Sequence, residues 1–359
     1  MSLKCYKYRL PFKQPLKTTR GSFEERNGLI LEFSFDGQSF YGDVAPLPGF
    51  SQESFEEVKA LITRHQEQVD ELLNLTDPTE SLGKLFHEGN LPPSLQFGLD
   101  TVALQAIAHR KGSTLQHELF SEPVKAVPVN ALGNLLSDQF LQQIEQLVTE
   151  GYKTVKFKVG LEFDQEYNQL QKVRSQYPSL KFRLDANQKW PLEEAIVNCN
   201  RLEEIGIEYC EEPLADPSPE NFEILAKKTG LPLALDESIS RVSYWPNLLP
   251  YTSYAVVKPM VIGSFSKNLE TKALINTHNN KVVYTTSLES SVGRQATAIL
   301  ASGSGNTTTA HGLTTGRLLT KDVHADNCYI SDGKYNIAPI RHRLQINTSK
   351  LHHVSSRLF

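Results

Sequence analysis

Cysteine is scarce in this sequence of 359 residues, and its four cysteines are widely separated. Cys5, Cys199, Cys210 and Cys328 include no CxxC pair. Closely spaced cysteines are typical of disulfide-stapled secreted domains and of zinc sites, so neither is predicted here. The first residues also lack the apolar core of a signal peptide. We therefore expect a reducing, cytoplasmic location.

Long apolar runs and an excess of basic residues are also missing. No stretch approaches the roughly 20 apolar residues needed to cross a bilayer, and the net charge is -4. No basic cluster is interleaved with aromatic residues, so nothing attracts a polyanion. The sequence thus predicts neither a membrane segment nor a nucleic-acid partner, and it leaves the choice between monomer and homo-oligomer open.

What the sequence does contain falls into two patterns, and the first covers residues 1–122. Residues 28–35 and 39–42 are rich in β-forming side chains, and Asp36-Gly37 between them is a hairpin signal. Apolar residues then recur at helical spacing over 53–73 and 94–108. Strands followed by helices predict an α+β domain.

The second pattern begins near residue 123 and predicts an α/β barrel. Short apolar strands alternate with longer amphipathic stretches at intervals of roughly 23–28 residues, which is the length of one βα unit. This regularity favours a closed barrel over residues 123–319, with a C-terminal segment, 320–359, returning to the first domain. The predicted strands are 127–130, 154–159, 182–185, 207–211, 233–236, 254–258, 282–286 and 307–311.

Carboxylates stand at the carboxyl ends of three successive predicted strands. These are Asp185, Glu211 and Asp236, and strand ends of this kind line the active site of a barrel enzyme. Oxygen ligands at this spacing suit Mg²⁺, which leaves coordination positions for water and substrate. Taken singly, each residue has a structural alternative, such as a helix cap for Asp185. The combination predicts a magnesium site.

Lysines flank this acidic set on both sides. Lys156 and Lys158 share one face of their strand because side chains alternate with a period of 2, and Lys258 ends a later strand. With a second ammonium and a metal ion nearby, Lys158 is expected to have a lowered pKa and to act as a base. Metal and amines together are the parts needed to form an enediolate, a pairing that is the known pattern of enolase-type enzymes.

At this point the motifs resemble the enolase superfamily, in its muconate-lactonizing-enzyme subgroup. The resemblance implies a modified (β/α)7β barrel, an N-terminal α+β capping domain completed by the C-terminal tail, and Mg²⁺, with Mn²⁺ as a substitute. It also implies three metal ligands, Asp185, Glu211 and Asp236, and catalytic lysines at 156, 158 and 258. The motifs are KxK at 156–158, DxN at 185–187, EEP at 211–213, LDES at 235–238 and KPx at 258–260.

Within the subgroup, residues 41–51, 182–187 and 286–293 are most similar to the o-succinylbenzoate synthase family. This resemblance implies a hydro-lyase of menaquinone biosynthesis. Its reaction is the Mg²⁺-dependent syn dehydration of a small carboxylate, 2-succinyl-6-hydroxy-2,4-cyclohexadiene-1-carboxylate, to 2-succinylbenzoate. Lys158 would remove the α-proton and return it to the departing hydroxyl, Lys156 would tune the pKa of Lys158, and Lys258 would stabilise the anionic intermediate.

The resemblance further implies contacts to the substrate. Two capping loops, 18–23 and 46–52, would read its shape. For Leu47 and Phe50 in the second loop, packing in the core is the alternative. For Arg183, a structural salt bridge is the alternative. The predicted contacts are Arg183, Asn187, Ser287, Glu289, Gly312, Leu313, Leu47 and Phe50.

Two other functions remain open. A racemase of N-succinylamino acids or an epimerase of dipeptides would also use two opposed lysines. Residues 311–316 contain no carboxylate to hold a substrate ammonium, which disfavours a dipeptide. A non-catalytic ligand-binding protein on the same scaffold is the alternative from a different class.

Overall fold

The structure, a computed structural model, describes residues 2–18, 21–64, 91–305, 307–324, 329–337 and 352–353. The N-terminal part combines an antiparallel sheet with helices. Its elements are β1 (Ser2–Thr18), β2 (Gly21–Phe35), β3 (Gln38–Val44), α1 (Phe55–Arg64), α2 (Pro93–Arg110) and α3 (Leu115–Leu119).

The N-terminal sheet has the hairpin that the sequence predicted. Strands β2 and β3 pair antiparallel, and both turn residues, Asp36 and Gly37, have positive φ of 50° and 71°, as a tight hairpin turn requires. Helix α2 lies very close to β3: a Cβ atom at Gly42 would stand 2.1 Å from the carbonyl oxygen of Gly98. Glycine at both positions therefore lets helix and strand meet backbone to backbone.

A parallel barrel follows, with helices on the outside of its strands. Its strands are β5 (Ala131–Gly133), β6 (Thr154–Lys158), β7 (Lys181–Asp185), β8 (Tyr209–Glu211), β9 (Leu233–Leu235), β10 (Tyr254–Val257) and β11 (Lys281–Tyr284). Between and after them lie α4 (Phe140–Thr149), α5 (Phe163–Gln176), α6 (Leu192–Ile205), α7 (Pro219–Lys228), α8 (Glu237–Arg241), α9 (Pro259–Ile262), α10 (Phe265–Thr277) and α11 (Ser291–Ser302).

The seven parallel strands follow one another in chain order across the sheet, from β5 to β11. Two short parallel bridges join the outer edges: Val129 pairs with His311, and Thr285 pairs with Gly312. Backbone hydrogen bonds of 2.8 Å from His311 to Pro128 and from Gly312 to Tyr284 support them. Residues 311 and 312 thus take the place of an eighth strand, and the predicted barrel class is confirmed.

One strand prediction was right only in part. Residues 127–130 were expected to begin the barrel, but β4 (Ala126–Pro128) pairs antiparallel with β13 (Lys334–Asn336), which also pairs with β12 (Ile330–Ser331). Val129 and Asn130 contact the barrel through His311, and its first strand is β5. The sequence could not separate the two segments because both are short and apolar, and the pairing partner of β4 lies far along the chain.

The C-terminal part returns to the N-terminal sheet, as predicted. Strand β14 (His352–His353) pairs with residues Tyr6 and Lys7 of β1. The predicted strand around 344–346 lies outside the described residues. The proposed domain limits, 1–122, 123–319 and 320–359, stay a prediction. No helix in the described ranges has the length and apolarity that a membrane span requires.

Asp100 of α2 connects the N-terminal part to the barrel, and its titration should be visible in stability. Its carboxylate accepts a hydrogen bond of 2.7 Å from the Phe265 N–H, and burial raises its pKa from 3.8 to about 6. An acid with a raised pKa in the native state keeps its proton there while the unfolded chain has lost it. Relative to the ionised carboxylate, protonated Asp100 therefore stabilises the folded state fully below pH 4, and this stabilisation is lost as the pH rises to 6.

Replacement of Asp100 with asparagine should remove this pH-dependent term while keeping an oxygen that can accept the Phe265 bond. Between pH 4 and pH 7, the difference in unfolding free energy between wild type and Asp100→Asn should change by at most about 3 kcal/mol, from the two-unit shift in pKa. Urea titrations across this range measure it. A difference that does not vary with pH would contradict the assignment.

Candidate active site

The predicted catalytic residues meet at one end of the barrel because the strand register aligns them. Lys158 lies directly opposite Asp185 on the next strand, and Asp185 lies opposite Glu211. Glu211 in turn is opposite Ala234, two residues before Asp236. Since all these strands are parallel, their carboxyl ends share one rim, and the side chains project from it.

Ammonium groups lie among these carboxylates. Nζ of Lys156 is 2.9 Å from Asp185 Oδ2 and 2.7 Å from both oxygens of Glu211. On the other side of the rim, Nζ of Lys258 forms an ion pair with Asp236. All three carboxylates are buried. The structure thus brings together five of the six residues predicted for catalysis and metal binding in direct contacts.

Lys158, the sixth residue, stands apart from these ion pairs. It ends β6, is exposed to solvent, and makes no ion pair within the part of the chain that the structure describes. Lys156 and Lys258 each neutralise a carboxylate, so their amines are engaged. Lys158 is the lysine whose side chain is available to a substrate.

Burial and mutual repulsion control the protonation of this cluster. Burial alone disfavours the ammonium of Lys156, but Asp185 and Glu211 hold the pKa of Lys156 well above its usual range. Burial and repulsion from Asp185 raise the pKa of Glu211. Burial opposes ionisation of Asp236, yet the ammonium groups of Lys258 and Lys156, with the hydrogen bonds to Asp236, together outweigh it and lower the pKa of Asp236. The cluster therefore attracts positive charge strongly.

The donor chemistry fits a hard divalent cation. Three buried carboxylates on adjacent strands supply oxygen ligands of the kind that Mg²⁺ prefers. Within the described ranges, no three His, Cys, Asp or Glu side chains are arranged as a finished metal site, and the Lys156 ammonium lies between two of the carboxylates. The residues that would hold Mg²⁺ are Asp185, Glu211 and Asp236, with the Lys156 ammonium moved aside.

A loop of the N-terminal domain covers this end of the barrel. Phe50 places its ring 4.4 Å from Nζ of Lys258 and 5.1 Å from the guanidinium of Arg241, and Arg241 also donates to the carbonyl of Gly49 at 3.2 Å. Leu47 is half-buried in the same turn. The loop 46–52 thus stands where sequence reasoning expected it. Of the other predicted loop, 18–23, residues 19 and 20 lie outside the described residues.

Two residues that were predicted to contact the substrate bind other protein groups instead. Arg183 is fully buried, with its Nε 2.6 Å from Glu208 and its Nη1 2.6 Å from the carbonyl of Ala310. These contacts support the salt-bridge alternative. Asn187 donates at 3.0 Å to Glu237, a buried carboxyl whose pKa is raised by burial to about 7.

The segment after β11 is more buried than its predicted role in substrate binding suggests. The Glu289 carboxylate accepts hydrogen bonds from the backbone N–H of Ser287 and, at 3.0 Å, from the hydroxyl of Thr297. Burial raises the pKa of Glu289 to about 7. By contrast, the Ser287 hydroxyl is buried without a hydrogen-bond partner among the described residues. Ser287 therefore has an unused polar group, as does Ser291 further along the segment.

Gly312 and Leu313 lie at the closure of the barrel. The carbonyl of Gly312 accepts from Thr286 N–H at 3.1 Å, and Leu313 is a core residue. The Gly312 N–H also donates to the Tyr284 carbonyl, so both backbone groups of Gly312 are engaged within the barrel. Contact of Gly312 and Leu313 with the substrate stays a prediction.

Leu132 belongs to this site but was missed by sequence reasoning. It pairs directly opposite Lys156 in the register, so its side chain projects from the same face, and it remains 41% exposed. An exposed leucine beside a buried ion cluster offers apolar contact to a substrate. The signal was present as an apolar residue near the end of the first barrel strand, but the strand itself was placed too early.

Two family descriptions match the chain. The description "Enolase C-terminal domain-like" matches residues 139–339, and "MenC, N-terminal domain" matches residues 1–106. The first covers more than half of the chain and spans β6 to β11. The chain therefore belongs to the enolase superfamily and is an enzyme, which confirms the family resemblance.

Similar proteins include two o-succinylbenzoate synthases. That of Pasteurella multocida (strain Pm70) is 29% identical over 306 residues, which is 83% of this chain and 84% of that protein. That of Aliivibrio salmonicida (strain LFI1238) is 28% identical over 302 residues, 83% of this chain and 85% of that protein.

Solved structures share the fold. Muconate lactonizing enzyme from Pseudomonas fluorescens, complexed with muconolactone, is 21% identical with a TM-score of 0.81 and 94% of each chain covered. The L-Ala-D/L-Glu epimerase from Bacillus subtilis is 19% identical with a TM-score of 0.81, covering 94% of this chain and 97% of that one. These likenesses support the barrel with its N-terminal α+β domain.

Proposed function

We propose that this enzyme is an o-succinylbenzoate synthase acting in menaquinone biosynthesis in the cytoplasm. The observation that carries the proposal is the meeting, at one barrel rim, of a solvent-accessible Lys158, three buried carboxylates and Lys258. The N-terminal domain match and the two relatives of that name support the choice of reaction. The substrate is 2-succinyl-6-hydroxy-2,4-cyclohexadiene-1-carboxylate.

Lys158 carries the proton through the reaction. Its neutral amine removes the hydrogen on the ring carbon that bears the carboxylate, and the electrons of that C–H bond pass into the carboxylate as an enediolate. They then return to the ring and expel the neighbouring hydroxyl, which takes the proton back from the Lys158 ammonium and leaves as water. Because one amine does both transfers, hydrogen and hydroxyl leave from the same face. The product is the aromatic 2-succinylbenzoate.

Charge around the rim supports this path. Mg²⁺ held by Asp185, Glu211 and Asp236 would supply positive charge for the substrate carboxylate, a contribution on the order of several kcal/mol to such reactions. Lys258 adds a fixed positive charge on the opposite side of the carboxylate row from Lys158. Its ammonium lies between Asp236 and the ring of Phe50, which places this charge at the rim where the anionic intermediate would form.

Apolar groups complete the binding surface. Leu132 stands beside Lys156 on the barrel side, and Phe50 and Leu47 stand on the loop side. These three offer contact to the ring and methylene groups. The unused hydroxyl of Ser287 is an available donor for the succinyl carboxylate.

The proposal is tested by supplying the cyclohexadiene substrate with Mg²⁺ and following its ultraviolet absorbance as the ring becomes aromatic. We expect turnover that stops when EDTA removes the metal and resumes when Mg²⁺ is restored in excess. Absence of turnover by folded protein at saturating Mg²⁺ would contradict the proposal.

Racemisation of N-succinylamino acids is the second candidate. Lys158 on β6 and Lys258 after β10 stand on opposite sides of the carboxylates of β7 to β9, which is the arrangement that a two-base racemase needs. Incubation of an N-succinylamino acid in D₂O, with deuterium incorporation read by NMR, tests it. Incorporation without dehydration in the parallel assay would make racemisation the main activity.

A further inference from the structure

Glu212 follows the predicted ligand Glu211 but points away from the acidic cluster. Its side chain is completely buried, and no ammonium contacts it among the described residues. Burial raises the pKa of the Glu212 carboxyl, and hydrogen bonds from Asp236 and Ser238 oppose that rise. Burying a carboxylate without a cation costs free energy unless its oxygens accept hydrogen bonds. The hydrogen bonds of Glu212 therefore indicate its role.

Four donors surround the Glu212 carboxylate. Oε1 accepts from the backbone N–H of Asp236 at 2.7 Å and from the backbone N–H of Ser238 at 2.8 Å. Oε2 accepts from the Ser238 hydroxyl at 2.8 Å and from Nε2 of Gln188 at 3.0 Å. Both oxygens are therefore fully used, and every donor belongs to a loop that carries a predicted metal ligand or adjoins one.

The backbone of Glu212 makes further links between the same loops. Its carbonyl accepts from Gln188 N–H at 2.7 Å, and its N–H donates to the carbonyl of Ala234 at 3.0 Å. One residue thus ties the loop after β7, its own loop after β8 and the loop after β9. The first two loops follow directly after Asp185 and Glu211, the last residues of their strands, and the third begins at Asp236.

Backbone strain is concentrated at these contacts. Asn187, Gln188 and Glu212 all have positive φ, of 47°, 58° and 44°, a conformation that costs side-chain-bearing residues energy. Such strain persists only where surrounding contacts impose it. The hydrogen bonds of Glu212 to the segments after β7 and β9 are contacts of this kind.

We infer that Glu212 is a positioning residue that fixes the backbone at Asp236 and the loop after Asp185, so that three carboxylates converge on one cation. This inference rests on the proposed metal site. Groups that hold metal ligands in place typically change metal affinity by roughly 10–100-fold when they are replaced.

The test is Mn²⁺ binding to the purified enzyme without substrate, measured from the EPR signal of free Mn²⁺. Glu212→Gln keeps the side-chain volume but turns one acceptor into a donor that faces N–H or O–H groups. We expect its dissociation constant for Mn²⁺ to be roughly 10–100 times that of wild type. Ser238→Ala, which removes one donor and leaves the Glu212 carboxylate, should weaken Mn²⁺ by a smaller factor.

Glu166 provides a matched control. It too is a buried carboxylate that accepts backbone bonds, from Gly160 at 2.7 Å and Leu161 at 3.2 Å, but in the loop after β6, which carries no predicted metal ligand. Glu166→Gln should bind Mn²⁺ as wild type does. Circular dichroism checks that each variant is folded.

The outcomes separate the two proposals. Wild-type affinity in folded Glu212→Gln, or an equal loss in Glu166→Gln, would overturn the role of Glu212 while leaving the metal site intact. If Glu212→Gln does not fold, Ser238→Ala decides, and unchanged affinity there overturns the inference. If wild type itself binds no Mn²⁺, the proposed metal site fails and the role of Glu212 fails with it.

Discussion

Replacing Lys158 with alanine should lower the rate of dehydration by roughly a thousandfold or more, the upper range for loss of a positioned acid–base group. Lys158 is the site lysine without an ion pair among the described residues, whereas Lys156 is bound by Asp185 and Glu211 and Lys258 by Asp236. The amines of Lys156 and Lys258 are therefore not free to take its place. The measurement is the ultraviolet assay of ring aromatisation with saturating Mg²⁺.

Lys153→Ala is the control for this variant. Lys153 is exposed and lies just before β6. It therefore stands at the opposite end of the barrel from Lys158, which ends the same strand. Its replacement should leave turnover unchanged. In Lys158→Ala the affinity for Mn²⁺ should stay within a small factor of wild type, because the carboxylates and Lys156 remain. Substantial turnover in Lys158→Ala would remove it from the role of base.

The alignment of the site at one rim could be predicted because it depends on two regular features. Side chains alternate along a strand, and parallel strands of a barrel end on the same side. Those rules place Lys158, Asp185 and Glu211 side by side, and the register agrees. Neither rule depends on the details of loops or on distant contacts, which is why the sequence was sufficient.

Depth within the barrel is harder to read from sequence. Arg183 shares a face with Asp185, but two residues along a strand correspond to about 6–7 Å. That distance takes Arg183 below the rim, where Glu208 and the Ala310 carbonyl hold it. Strand alternation predicts on which face of the strand a side chain lies. Its depth along the barrel axis can be predicted only when the residue at which the strand ends is known.

Loop conformation is the other limit, and Glu289 illustrates it. The family resemblance implied that Glu289 would contact the substrate together with Ser287, as two alternating side chains of one strand would. Leu288 between them has a φ of 63°, which bends the chain and ends the alternation. The Glu289 carboxylate consequently turns back to the backbone N–H of Ser287. A left-handed leucine is rare enough that no sequence rule would have placed it here.

Contacts between distant segments were invisible for a different reason. The Phe50 ring lies over the Lys258 ammonium, although the two residues belong to different parts of the fold. Sequence similarity indicated that loop 46–52 covers the site, but the choice of Lys258 as the partner of the ring depends on how the N-terminal sheet packs on the barrel. That packing depends on contacts between the two parts, such as the hydrogen bond from the Phe265 N–H to the Asp100 carboxylate.

Replacing Asp236 with alanine should weaken Mg²⁺ binding at least about a hundredfold and remove turnover at ordinary Mg²⁺ concentrations, since one of three anionic ligands is lost. The loop itself should survive. Glu212 holds the backbone N–H of residue 236 and the Ser238 N–H, and alanine keeps that backbone N–H. The effect therefore reports the carboxylate and not a collapsed loop.

A second consequence of Asp236→Ala concerns Lys258, whose ammonium loses its partner carboxylate but keeps the ring of Phe50. Excess Mg²⁺ should consequently restore only part of the activity. Titration of activity with Mg²⁺, beside EPR titration with Mn²⁺, measures both effects. Asp164, an exposed carboxylate near the start of α5, gives the control, and Asp164→Ala should titrate like wild type. An unchanged Mg²⁺ titration in Asp236→Ala would exclude it from the ligand set, because a ligand cannot be removed without moving that curve.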